Sequence, residues 1–189
     1  MAGRDLWQAQ LTPDGRTVVF RAGTLGSADI YYRHLTGDTA TKPIAATKFD
    51  EVGLRLSPDG RWVAYTTDEA GANEVVVRPF PGPGAQFAVS AGGGATPIWS
   101  RDGRRIVYAN GTQIMEATVT TSPTFSVTSR RMLFQGDFYV NPAHAMFDLS
   151  PDGASLLMLR NVPGSTEQIV VIHNWQAELK AKTKAGVTP

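Results

Sequence analysis

The sequence predicts an all-β chain folded as a β-propeller of about four four-stranded antiparallel blades, with a short C-terminal helix. A motif of Ser or Thr, then Pro or Arg, then Asp-Gly recurs with its aspartates at Asp14, Asp59, Asp102 and Asp152, at intervals of 45, 43 and 50 residues. The segments between the copies are rich in β-branched and aromatic residues, with Gly, Pro, Asp and Asn between them, which is typical of strands joined by turns. Four-stranded units that repeat at this period are propeller blades.

The motif itself predicts a tight hairpin turn in each repeat. Pro presets φ for the second position of a type I turn, Asp suits the third, and Gly supplies the left-handed residue that follows. In the third copy Arg101 replaces Pro, which a type I turn tolerates. Each motif should therefore join the first two strands of a blade.

The remaining strands of each repeat follow in order. After each turn comes an apolar triplet, namely Val18-Val19-Phe20, Val63-Ala64-Tyr65, Ile106-Val107-Tyr108 and Leu156-Leu157-Met158. Third strands are predicted to begin at Asp29, Glu74, Gln113 and Gln168, and fourth strands to lie around Ile44, Phe87 and Leu133. The fourth repeat lacks a fourth strand and continues into residues 174–180, whose composition predicts a short helix. The Ser- and Thr-rich run 118–129 is interpreted as a long outer loop.

These elements divide residues 1–180 into blades at about 6–48, 49–91, 92–136 and 137–175, followed by a flexible tail at 181–189. Four blades lie at the bottom of the natural range for propellers. Only a short stub precedes the first strand, too short to complete the last blade and so remove the open sheet edges. We therefore expect the chain to form part of a larger propeller. The alternative is a four-bladed ring whose last edge is covered by the helix.

Composition excludes several kinds of partner and chemistry. The formal net charge is +1 with both signs interspersed, so no basic face for nucleic acid is expected. No apolar run approaches the length of a membrane helix, and no signal-peptide pattern begins the chain. Cysteine is absent, which removes disulfides, thiol nucleophiles and Cys-based zinc sites.

No catalytic, cofactor-binding or metal site is predicted. The chain has no Gly-x-Ser-x-Gly elbow, no phosphate-binding loop and no kinase signature. The four motif aspartates lie on separate repeats and suit turns better than a calcium site. The three histidines, His34, His144 and His173, are too scattered for zinc. The chain itself is therefore expected not to be an enzyme.

A contact surface for a protein or small-molecule partner is predicted at Tyr139, Asn141 and His144. These residues lie just ahead of the inner strand of the fourth repeat. Loops that lead into inner strands open onto one end of a propeller, and an exposed Tyr can anchor a partner. The alternative, a loop packed on its neighbours, is left open here.

The repeats resemble the TolB-type, WD-like propeller repeat, in which an apolar residue, Ser-Pro-Asp-Gly, an apolar strand and an Asp-Ile-Tyr strand follow one another. Asp29, Ile30 and Tyr31 match the last element. Residues 169–175, ending in Asn174-Trp175, and then Glu178-Leu179-Lys180 resemble the close of the C-terminal propellers of bacterial transmembrane serine/threonine kinases.

The kinase resemblance implies a sensory or protein-interaction domain outside the cytoplasmic membrane, with further blades or a kinase domain upstream in a parent protein. One alternative is a periplasmic TolB-like scaffold that binds envelope partners. Another is the propeller domain that gates a prolyl-oligopeptidase-like enzyme, whose hydrolase domain would lie outside this chain.

Overall fold

The computed structural model describes residues 5–24, 26–160 and 168–172. The strands in these ranges are β1 (Asp5–Leu11), β2 (Thr17–Thr24), β3 (Ser27–His34), β4 (Lys42–Ala45), β5 (Glu51–Leu56), β6 (Trp62–Thr67), β7 (Glu74–Pro79), β8 (Phe87–Ala88), β9 (Ala95–Trp99), β10 (Arg105–Asn110), β11 (Gln113–Thr120), β12 (Ser126–Gln135), β13 (Phe147–Leu149), β14 (Leu156–Arg160) and β15 (Gln168–Ile172).

The strands form four antiparallel sheets in which chain neighbours are also spatial neighbours. Blade I is β1–β4, blade II is β5–β8, blade III is β9–β12, and blade IV is the three-stranded sheet β13–β15. The first strands lie innermost, since β5 contacts both β1 and β9. The prediction of an all-β propeller with four antiparallel blades is confirmed.

All four motif turns have the same geometry. The glycine N–H donates to the carbonyl of the first motif residue at 2.8–2.9 Å in every copy. The glycine φ is +69° at Gly15, Gly103 and Gly153 and +68° at Gly60, the left-handed region that the motif predicts. Arg101 leaves the third turn unchanged, as expected, because a type I turn needs no ring at that position.

Alternation along each strand places one apolar row on each face of a blade, and facing rows form three interfaces. Val19, Ile30 and Ala45 of blade I pack against a row of blade II that comprises Leu54, Val63, Tyr65 and Val76. A second cluster joins blades II and III, including Val75, Val77, Trp99 and Tyr108. A third joins blades III and IV, including Val107, Ile114, Leu156 and Met158. In the described part of the chain, no such cluster joins blade IV to blade I.

Two expectations need correction. Residues 118–129 are not a long loop, because β11 continues to Thr120, β12 begins at Ser126, and only 121–125 connect them. Threonine and serine fit an outer hairpin whose far face is solvated, so polar composition did not indicate a loop. A large ring at a strand position of a blade is expected to pack between blades, but Trp7 of β1 is 38% exposed. The predicted helix and the tail at 181–189 lie outside the described residues.

Candidate functional site

The propeller has two ends of different chemistry. We call the end that carries the Asp-Gly turns the turn end. The end that carries the loops leading into innermost strands is the loop end. Tyr139, Asn141 and His144 all fall within residues 136–146, which connect β12 to β13 at the loop end.

At the turn end, the motif carboxylates are used within their own turns. Asp14 Oδ1 accepts hydrogen bonds from Thr12 Oγ1 at 2.5 Å and from the Arg16 N–H at 3.0 Å. Asp102 and Asp152 accept the equivalent pairs of bonds. The hydroxyl bonds hold the pKa of Asp14, Asp102 and Asp152 below the usual value. Burial raises the pKa of Asp59, but the hydrogen bonds from Ser57 and Arg61 lower it by more, so this pKa too lies below the usual value.

These bonds give the motif carboxylates a structural role within their turns. In the described ranges, no group of three or more His, Asp or Glu residues is placed to hold a metal ion. His34 lies at the turn end, where its Nδ1 is 2.8 Å from Thr17 Oγ1, whereas His144 lies at the loop end. The third histidine, His173, is outside the described residues.

The 136–146 loop is shaped by a short turn at its centre. Asn141 Oδ1 accepts a hydrogen bond from the Ala143 N–H at 2.9 Å, and the Asn141 carbonyl accepts one from the His144 N–H at 3.2 Å. Asn141 and His144 are therefore brought together, both half-buried. At the start of the loop the Tyr139 N–H donates to the Leu159 carbonyl at 3.0 Å, and the residue remains 44% exposed.

The tip of this loop crosses the loop end to reach blades I and II. The Ala143 carbonyl accepts a hydrogen bond from Arg21 Nη1 of blade I at 3.4 Å. The Pro142 carbonyl lies over Gly53 of blade II, where an added Cβ would be 3.5 Å from it. The loop is thus held at both its start and its tip, and Tyr139 projects from a fixed base.

Arg21, which sequence reasoning missed, is a buried cation under this loop. Its side chain is 3% exposed, its guanidinium lies 5.4 Å from the centre of the Trp7 ring, and its Nε has no hydrogen-bond partner. Burial lowers the pKa of Arg21, and the charge of Asp50 opposes that effect. The only sequence signal was a charged residue in an otherwise apolar strand.

Glu51, also missed, is a buried acid between blades I and II. The side chain is 1% exposed; Oε1 accepts a hydrogen bond from Thr47 Oγ1 at 2.5 Å, and Oε2 has no partner. Burial raises the pKa of Glu51 to about 7. The hydrogen bond from Thr47 lowers this pKa, and the nearby charge of Asp29 raises it further. Glu51 is therefore a group that titrates near neutral pH inside the interface.

Comparison with solved structures places the fold among TolB-like propellers. TolB from Acinetobacter baumannii is 19% identical with a TM-score of 0.67, over 88% of this chain and 40% of that one. A TolB-like protein from Agrobacterium tumefaciens is 21% identical with a TM-score of 0.67, over 90% of this chain and 58% of that one. A puromycin-hydrolyzing peptidase from Mycobacterium tuberculosis is 18% identical with a TM-score of 0.67, over 90% of this chain and 30% of that one.

Likeness at these identities shows the fold alone, and the chain spans between 30% and 58% of the length of these three proteins. Comparison with protein-family models gave no match, and neither did comparison with curated protein sequences. Within the part of the chain that the structure describes, no helix has the length and apolarity needed to span a membrane.

Proposed function

We propose that this chain is a non-catalytic propeller module that binds a protein or small-molecule partner at the loop end. The observation that carries the proposal is the 136–146 loop, in which Tyr139 is 44% exposed and hydrogen bonds hold the loop at its start and at its tip. A fixed loop loses little conformational entropy on binding, and an exposed Tyr is a common anchor at protein interfaces. His144 of the same loop adds a side chain that can donate or accept a hydrogen bond.

The setting that we propose is the C-terminal sensory or interaction domain of a bacterial membrane-anchored serine/threonine kinase. Its support is the likeness of residues 169–175 and 178–180 to the close of such propellers. In this arrangement the propeller lies outside the cytoplasmic membrane, and the catalytic domain belongs to another part of the parent protein.

A second candidate is a TolB-like scaffold outside the cytoplasm that binds envelope partners, which the two TolB structures favour. A third is the propeller domain of a prolyl-oligopeptidase-like enzyme, which the peptidase structure favours. The reading frame around this chain separates the three. A kinase domain and a membrane span support the first, a signal peptide without a catalytic domain supports the second, and an attached hydrolase domain supports the third.

Selection from a displayed peptide library tests the contact surface directly. Peptides selected on the unmodified chain should lose binding to Tyr139→Ala and to His144→Ala, while both variants keep the melting temperature. Leu35→Ala is the matched control, because Leu35 is 51% exposed but lies at the turn end, after β3. Asn141→Ala is measured separately because Asn141 also shapes the turn. Undiminished binding by both variants, or a large loss of stability in them, would assign the loop to packing.

A further inference from the structure

Arg21 lies on the face of blade I that packs against blade II. Val19, two positions earlier on β2, belongs to the cluster shared with blade II, and alternation along a strand puts Arg21 on the same face. Phe20 and Ala22 point the other way, where they line a hollow on the far side of blade I. Arg21 is therefore enclosed between two described blades, beneath the tip of the 136–146 loop.

The guanidinium of Arg21 forms no ion pair within the part of the chain that the structure describes, although the residue is only 3% exposed. Asp50 acts on its charge, but Oδ1 of Asp50 accepts the Ala28 N–H at 2.8 Å. Buried charges in proteins are normally paired, because an unpaired charge is costly to remove from water. Arg21 is thus placed to receive an anion.

Gln8 supplies a second polar atom beside this cation. It pairs with Arg21 across β1 and β2, and its Nε2 donates to the Leu54 carbonyl of blade II at 3.1 Å, so both side chains share one face. Arg21 Nε, a donor, and Gln8 Oε1, an acceptor, are both buried without a hydrogen-bond partner. Buried polar atoms are nearly always hydrogen-bonded. A ligand that offers an acceptor and a donor side by side would satisfy both atoms.

The contact that covers Arg21 is weak enough to be exchanged for such a ligand. Its Nη1 donates to the Ala143 carbonyl at 3.4 Å, which is longer than the roughly 2.9–3.0 Å usual for this kind of bond. A carboxylate is a stronger acceptor for a guanidinium than a carbonyl is, because the two groups carry opposite charges. The loop tip can give way while the bond from the Tyr139 N–H to the Leu159 carbonyl still holds the start of the loop.

We propose that the loop end binds a peptide segment through a carboxylate, which pairs with Arg21 while a neighbouring N–H of the peptide donates to Gln8 Oε1. The planar guanidinium suits this ligand, because it can donate two parallel bonds to one carboxylate. A peptide offers a carboxylate near an N–H either at its C-terminus or at an Asp or Glu side chain. This assignment of the ligand class rests on the proposed function, since the same end of the propeller binds the partner.

Synthetic peptides, chosen from a displayed library selected on the unmodified chain, are the probe. Each is made in its original form, with an amidated C-terminus, and with its Asp and Glu replaced by Asn and Gln. One of the two neutralised forms should bind at least tenfold more weakly, and its identity gives the source of the carboxylate. On Arg21→Gln this difference should disappear, because the group that pairs with the carboxylate is gone. Arg101→Gln removes an exposed arginine at the turn end and, as the matched control, should keep the difference.

The stability of the variants separates a binding role of Arg21 from a structural one. Arg21→Gln should keep or raise the melting temperature, because it removes a buried charge that has no ion-pair partner. A large loss of stability would assign Arg21 to packing and overturn the proposal. Arg21→Lys keeps the charge without the planar fork, so it should recover only part of the difference between charged and neutral peptides.

Two further results would overturn the carboxylate site without touching the proposed function. One is equal affinity of the unmodified chain for the charged and neutral peptides, and the other is a difference that persists on Arg21→Gln. In both cases, binding that is still lost on Tyr139→Ala leaves the loop end as the contact surface. If the library yields no peptide, acetate is titrated against chloride at equal ionic strength while the Nε–H resonance of Arg21 is followed by NMR. A saturable shift with acetate alone supports the site, and no shift overturns it.

Discussion

The buried carboxyl of Glu51 predicts that stability falls as the pH rises through neutrality. Its pKa is raised from 4.5 to about 7 in the folded chain, so the native state holds a proton that the unfolded state releases between these values. The stability that this group contributes is therefore fully present below pH 4.5, is lost as the pH rises from there through 7, and changes little above that. A rise of this size corresponds to about 3 kcal/mol at pH 8, at about 1.4 kcal/mol per pH unit.

Urea denaturation followed by tryptophan fluorescence at pH 5 and pH 8 measures this loss. The unmodified chain should lose about 2.5 kcal/mol of unfolding free energy between the two pH values, since part of the loss has already occurred at pH 5, and Glu51→Gln should lose much less. All other ionisable groups are the same in both proteins, so the difference between the two slopes isolates Glu51. The motif aspartates do not interfere, since their lowered pKa values place their loss of stabilisation below pH 4.

Glu116→Gln is the matched control. Glu116 is 2% exposed, but its Oε1 is 2.7 Å from Arg131 Nη2 and its Oε2 is 3.4 Å from Arg105 Nη1. Because its charge is paired, removing it should lower stability at both pH values and leave the pH dependence in place. If Glu51→Gln keeps the slope of the unmodified chain, the titration assigned to Glu51 is wrong.

Three further predictions concern the turns and the core. Gly60→Val should lower the free energy of unfolding by more than about 1 kcal/mol in chemical denaturation, because φ is +68° and an added Cβ would lie 2.8 Å from Pro13 Cδ. Gly15→Val should cost less, because φ is similar, at +69°, but no atom lies within 4 Å of its Cβ position. Phe125→Ala should cost about 3–5 kcal/mol by the same measurement, since the residue is 3% exposed and its ring centre lies 5.4–6.4 Å from the ring centres of Trp62, Phe87 and Trp99. A cost near zero would contradict the packing of this ring between blades II and III. Ser57→Ala should cost about 1 kcal/mol by removing the bond to Asp59, and a neutral result would show that the hydroxyl is dispensable for the turn.

The turns were predictable from the sequence because their chemistry is local. Four residues determine whether Gly15 or Gly60 adopts positive φ, and no distant contact is needed. The apolar triplets were equally informative, since alternation along a strand fixes which residues face the neighbouring blade. Fold class followed from repetition of these two signals.

The charged groups of the loop end could not be predicted in the same way. Arg21 and Glu51 look like ordinary strand residues in the sequence, and their burial depends on elements far away in the chain. Arg21 is covered partly by Ala143, 122 residues later, across a loop whose path no local pattern encodes. The composition of residues 136–146 suggested a contact surface but not the crossing to blades I and II.

The two ends of the propeller differ in how completely their polar groups are satisfied. At the turn end, the motif carboxylates accept bonds within their own turns. At the loop end, within the described residues, Arg21 Nε, Glu51 Oε2 and Thr96 Oγ1 are buried without partners. The backbone of Thr96 also has a φ of +53°, a conformation that is unfavourable for a β-branched residue. Each of these features costs stability, and strained or unsatisfied groups cluster at functional sites more often than in packed scaffolds. These unsatisfied and strained groups support the proposal that the partner binds at the loop end.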